Sequence, residues 1–218
     1  MRTGCLIATL ALLAGCTGAG PALPTGPDVV PSARALAAVA DSLAMAATPL
    51  ERRRRVVRAL ERYGLTPLAG LGGRETRPPR YGADGPVLAG LVPGRHPLAR
   101  PELVIVGADA DGPHAASVLE MARVLVERSE WANVPERTVM VALWTGERGA
   151  ESAVRLGVWP RDQIRAAVVA GGGGRVPTDV PAVRVPAGDD ALDLASRLLA
   201  EILRQSRREA PGDTAAAR

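Results

Sequence analysis

The sequence predicts an α/β fold, a three-layer sandwich around a largely parallel central sheet. Three observations carry that expectation. Residues 103–108, 138–144 and 166–170 are near-continuous apolar runs of strand length, the pattern of strands buried on both faces. Segments of helical period stand between and after them, over 113–128, over 147–156 and beyond Asp190. That alternation implies parallel pairing with helices packed on the sheet. The first two runs also end in acidic residues, Asp109 and Asp111 after one, Glu147 after the other. The carboxyl ends of buried parallel strands are where α/β proteins assemble reactive side chains.

The amino terminus reads as an address. Met1-Arg2 is a short positive region, residues 5–13 are apolar, and Leu13-Ala14-Gly15-Cys16 follows. An apolar stretch this short cannot span a bilayer as a helix and has the form of a secretory signal. Leu13-Ala14-Gly15-Cys16 also resembles the bacterial lipobox, in which cleavage precedes a cysteine that carries the lipid. Residues 1–15 are then a lipoprotein signal peptide. Cys16 is the lipidation site of an extracytoplasmic protein held on a bacterial membrane, the outer membrane if the cell is Gram-negative. Several acyl chains anchor stably where one alone is marginal. An ordinary signal peptide with an incidental Cys16 is the other reading. Cys5 falls inside the signal, so the mature domain would contain neither disulfide nor thiolate nucleophile. Residues 16–31, rich in Gly and Pro, form a flexible tether. The folded domain spans 32–210, and a disordered tail 211–218.

Within the domain, Ser32 caps a helix with Leu36, Val39 and Leu43 at helical spacing. Thr48-Pro49-Leu50-Glu51 has the capping-box form, with Pro at the first helical position. That second helix carries four successive arginines, 52–55, and stops near Gly64. The run fits a solvated helix face, or contact with anionic lipid near the anchor. Residues 70–85 read as a loop on their Gly and Pro content, and 87–92 as a strand. The helix opened by Gly112-Pro113 is apolar almost all round and should be deeply buried. A helical turn near Pro160, a short strand at 182–185 and a last amphipathic helix capped by Asp189 or Asp190 complete the domain. Arg204, Arg207 and Arg208 near its end complement the helix dipole.

Composition narrows the partners. All 27 basic residues are Arg, set against 23 acidic ones for a net charge of +4. They are scattered, and no aromatic is interleaved with them for base stacking, so nucleic acid is not expected. With no Phe, the core must be built from Leu, Val and Ala.

Four blocks in order resemble a known family. They are Val87-Leu88-Ala89-Gly90-Leu91-Val92-Pro93-Gly94-Arg95, the run 103–108, the helix segment 118–125, and Pro135-Glu136-Arg137 leading through 138–144 to Thr145-Gly146-Glu147. In order and spacing they look like the co-catalytic zinc aminopeptidases, which include bacterial leucyl aminopeptidases, glutamate carboxypeptidases and the transferrin-receptor ectodomain. The resemblance implies a zinc-aminopeptidase-like domain that is truncated and degenerate. In that family a His-x-Asp follows the second block; here Asp109 stands at the His position and Asp111 at the Asp. Glu147 matches the general base, and Arg148 occupies the next position, where the family has a metal-binding Glu. A further ligand Asp after the next strand, and a late His, have no counterpart; Ala170 and residues 171–174 stand where the Asp would be.

Zinc takes about four ligands drawn from Cys, His and carboxylate, with one position open for water in catalytic sites. Asp109, Asp111 and Glu147 would suit a harder ion better, and Arg148 puts a permanent positive charge where a dication would sit. Asp109 and Asp111 could equally end a strand and cap the following helix. Glu147 and Arg148 could be a solvated pair. His114 reads as a surface residue at a helix start, and His96 as part of a Pro-rich turn. The expected function is therefore non-catalytic recognition of a peptide or an envelope partner, with no cofactor. The alternative is an active metallopeptidase of aminopeptidase type, a zinc hydrolase with substituted ligands and Glu147 as base. A third possibility is that the sheet, cut short, is completed by another chain.

Overall fold

The computed structural model describes residues 29–67, 87–129, 135–146, 148–155, 159–171, 174–188 and 190–207. The predicted signal, the tether as far as residue 28, the tail and the loop at 70–85 lie outside these residues; Val29, expected in the tether, packs against the core and its carbonyl accepts from Arg128 Nε at 2.6 Å.

Two helices open the described part of the chain. α1 (Ala33–Ala44) is capped by Ser32, whose hydroxyl accepts from the Ala35 N–H at 3.1 Å. α2 (Pro49–Arg62) is capped by Thr48, which accepts from the Glu51 N–H at 3.1 Å. The reciprocal half of the box lands one residue early, because Glu51 accepts from the Ala47 N–H at 2.9 Å. β1 (Thr66–Pro67), β2 (Val87–Val92) and β3 (Leu103–Asp109) follow. After α3 (Ala115–Ser129) come β4 (Thr138–Trp144), α4 (Ala150–Arg155), β5 (Ile164–Ala170), β6 (Ala182–Val185) and α5 (Ala191–Ser206). Asp190 rather than Asp189 caps α5, accepting from the Leu192 N–H at 2.9 Å.

The sheet order is β1-β2-β4-β3-β5-β6. β4, β3, β5 and β6 run parallel, while β2 is antiparallel to β4 and the two-residue β1 is antiparallel to β2. The expected α/β class with a largely parallel sheet is thus the observed one.

Alternation along the strands sorts the core into two halves. Val104, Val106 and Ala108, with Val139, Val141 and Leu143, face a large cluster built with α1, α2, α3 and α5. Leu103 and Ile105, with Met140, Ala142 and Trp144, face a smaller one closed by α4, Val176 and Val180. One face therefore carries most of the helical cover. In the centre, the absence of a side chain at Gly107 is filled by the Trp144 indole. A Cβ on Gly107 would stand 2.4 Å from that ring and 2.0 Å from the Ala142 carbonyl oxygen.

α3 is as buried as its composition predicts, with one surprise. Glu120 is fully buried, pairs with Arg123, and accepts from the Ser32 N–H at 2.8 Å. The start of α1 is thereby tied to the middle of α3.

A second charged cluster closes the opposite end of the sheet. Glu102 binds Arg137 at 2.5 Å and also pairs with Arg165, while Arg137 donates to the Gln205 carbonyl at 2.7 Å. Partial burial works to raise the Glu102 pKa, but the hydrogen bonds from Arg165 and Arg137 outweigh it and hold the carboxyl below its ordinary value. A depressed folded-state pKa contributes stability above the unfolded value, and that contribution fades as the pH falls through the acid range. Glu102→Gln should therefore lower the urea midpoint at about pH 7, and the gap to the wild type should close at about pH 3. An equal gap at both pH values would exclude this account.

Candidate functional site

β3 and β4 run in register, so that Asp109 lies opposite Trp144 at the common carboxyl edge. The chain leaving β3 stays stitched to β4, since the Ala110 N–H donates to the Trp144 carbonyl at 2.7 Å. It then folds back on itself. Asp109 Oδ1 accepts from the Asp111 N–H at 3.0 Å, and the Asp109 carbonyl accepts from the Gly112 N–H at 3.1 Å. This is an Asx turn, in which a short acidic side chain substitutes for a backbone acceptor. It delays α3 to Ala115, two residues past the expected opening at Pro113.

The turn is held from outside by α2. Arg52 donates from Nε to the Ala110 carbonyl at 2.9 Å and from Nη2 to the Gly112 carbonyl at 3.1 Å. Arg55 donates to the Ser42 carbonyl at 2.7 Å. Two of the four successive arginines thus satisfy backbone carbonyls. They do not form the plain solvated face that the sequence suggested.

After β4 the chain passes Gly146 and Gly149, both at positive φ, before α4 begins. These left-handed residues move the start of the helix expected from 147 to Ala150. Gly149 lies so close to the loop after β5 that a Cβ there would stand 2.4 Å from Gly174 Cα. The Glu151 N–H donates to the Arg175 carbonyl at 2.9 Å across the same seam. The two loops are pressed together by backbone contact.

The residues singled out in the sequence fall as follows. Asp109 and Asp111 are exposed at the carboxyl edge, on the turn just described. Arg148 is exposed and makes no ion pair with either of them. It does not bend inward over these carboxylates in place of a dication. Glu147 and Cys16 lie outside the described residues. His96 is a turn residue, its Nδ1 accepting from the Leu98 and Ala99 N–H groups at 3.2 and 3.3 Å.

His114 is the residue that the sequence undervalued. Half-buried before α3, its ring rests against Gly171 at the end of β5, where a Cβ would come within 2.6 Å of Nε2. An imidazole thus sits beside the position where the family resemblance calls for a carboxylate. No local pattern signals this, because the start of α3 meets the end of β5 only through the tertiary fold. Even so, the described residues contain no group of three His, Cys, Asp or Glu side chains able to hold a metal ion. Zinc needs about four donors, one of which can be water, so the described donor set does not fit it.

The α/β sandwich has the fold of solved zinc-exopeptidase and aminopeptidase structures. A candidate zinc-dependent exopeptidase from Bacteroides vulgatus superposes with a TM-score of 0.51 at 12% identity, over 85% of this chain and 100% of that one. The LapA aminopeptidase of Legionella pneumophila superposes with a TM-score of 0.50 at 9% identity, over 82% of this chain and 73% of that one. No family model and no curated protein matches the sequence. At such identities the likeness establishes the fold alone.

Proposed function

We propose that the chain is a lipid-anchored protein of the bacterial cell envelope whose zinc-aminopeptidase-like domain recognises a peptide or a partner protein without cutting it. The observation that supports this reading is the use made of Asp109. It stands where the resemblance places the first His ligand, and its carboxylate is engaged in closing its own turn through the Asp111 N–H. That bond takes Oδ1 and leaves Oδ2 open, but no group of three His, Cys, Asp or Glu side chains gathers around it among the described residues. Without a metal to acidify water towards neutral pH, Glu147 has no activated nucleophile to deprotonate.

The second reading, an active metallopeptidase with Asp109 and Asp111 as ligands and Glu147 as base, draws on His114, which brings an imidazole to the end of β5. One experiment separates them. The purified chain, supplied with zinc, should leave aminoacyl-p-nitroanilides intact at any chelator concentration, and metal analysis should give well under one zinc per chain. Chelator-sensitive hydrolysis that Glu147→Gln abolishes would establish the peptidase instead. Lipidation is read separately, as a mass increment on the mature chain that Cys16→Ala removes.

A further inference from the structure

Five of the six arginines of α2 divide between two arrangements. Arg52 and Arg55 turn to backbone carbonyls of the α1–α2 corner and the Asp109–Gly112 turn. Arg54, Arg58 and Arg62 are exposed and carry no ion pair or hydrogen bond among the described residues. Their spacing of four places them in one row along the helix.

The same layer exposes apolar side chains. Among the described residues the exposed large hydrophobics are Val30, Met45, Leu50 and Leu98. The first three belong to α1, α2 or the approach to them, and Met45 at 68% and Leu50 at 40% exposure flank the corner between the helices. The outward residues of α1 are mostly alanine, with Arg34 and Asp41 its exposed charges. The acidic side chains that reach solvent on the two helices are Asp41, Glu61 and Glu51, the last paired with Arg55.

From this we infer that the outer surface of the α1–α2 layer docks on an anionic lipid bilayer. The arginine row lies against the headgroups, and Met45 and Leu50 dip into the interface. A basic row beside exposed apolar groups has the two attractions that hold a protein on such a surface, charge and buried apolar area. The sequence agrees with that placement, since only sixteen residues lie between Cys16 and Ala33. A lipid on Cys16 would hold this layer beside the membrane. That last point rests on the proposed lipidation; the docking surface does not.

The test uses the full chain with Cys16→Ala, so that no acyl chain contributes. Co-sedimentation compares vesicles of phosphatidylcholine containing phosphatidylglycerol with vesicles of phosphatidylcholine alone. Binding should favour the anionic vesicles and weaken as salt is added. Replacing Arg54, Arg58 and Arg62 together by Gln should lower partitioning onto the anionic vesicles on the order of 100-fold, since each basic residue near such a surface contributes about five-fold. A charge-matched variant with Arg155→Gln, Arg161→Gln and Arg204→Gln, all exposed elsewhere, should lose only a few-fold. Circular dichroism checks that both variants remain folded. Equal losses in the two variants, or equal binding to neutral and anionic vesicles, would overturn the docking surface. Neither result bears on whether Cys16 is acylated, which the mass of the wild-type chain reports.

Discussion

Gly107→Ala is expected to destabilise the domain by about 3 kcal/mol or more and to lower its melting temperature by roughly 10 °C. The added methyl has nowhere to go. It would stand 2.0 Å from the Ala142 carbonyl oxygen and 2.4 Å from the Trp144 ring, in the middle of the parallel pair β3–β4. Sheet backbone cannot retreat as the far end of a flexible side chain can, so the strands must separate or the register must strain. Trp144→Leu alone should cost stability through the cavity it opens; joined to Gly107→Ala it relieves the ring contact but not the carbonyl one, so the combined loss should fall short of the sum of the two. Thermal unfolding of the three variants checks this. A single variant as stable as the wild type would mean that β3 and β4 are not packed as described.

Glu120→Ala comes next, with an expected cost of roughly 3 kcal/mol. The carboxylate is fully buried, and it serves both Arg123 and the Ser32 N–H. Removing it leaves a guanidinium without its main partner and a backbone donor without an acceptor. The lower end of the range for buried pairs is the apt one. Arg123 is 19% exposed and still reaches Glu127, which softens the loss. Replacing both residues, Glu120→Leu with Arg123→Leu, should recover much of the stability, because no buried charge is then orphaned. Urea unfolding of the single and double variants distinguishes a buried pair that matters for stability from one that matters for nothing but charge balance. A double variant worse than the single would contradict the argument.

Much of the scaffold was legible because its signals are short-range. The central strands announce themselves as apolar runs, and Ser32, Thr48 and Asp190 cap the helices that their side chains suggest. The misplacements came where a local feature competed. Asp109 closes an Asx turn and pushes α3 two residues on, and two left-handed glycines delay α4. β1 has no signature in the sequence, because Thr66 and Pro67 alone carry no periodicity. The site was less legible than the strands. Asp109 and Asp111 were found from their place at a strand end, but Asp109's commitment to the backbone was not. His114 over Gly171, Arg52 over the turn and Ser32 on Glu120 join elements far apart in sequence, and a single sequence holds no trace of such meetings.

The borders of the sheet have a consequence for how the protein behaves when crowded. One flank ends in Thr66–Pro67, where proline lacks the amide hydrogen that a newcomer would need. The other ends in the four residues of Ala182–Val185, with a bulky exposed cation at Arg184. Proline on one border and charge on the other discourage lateral accretion there. Among the described residues, then, neither flank is a ready seed for fibrils. A concentrated solution should remain free of thioflavin-positive deposits for as long as the native state persists.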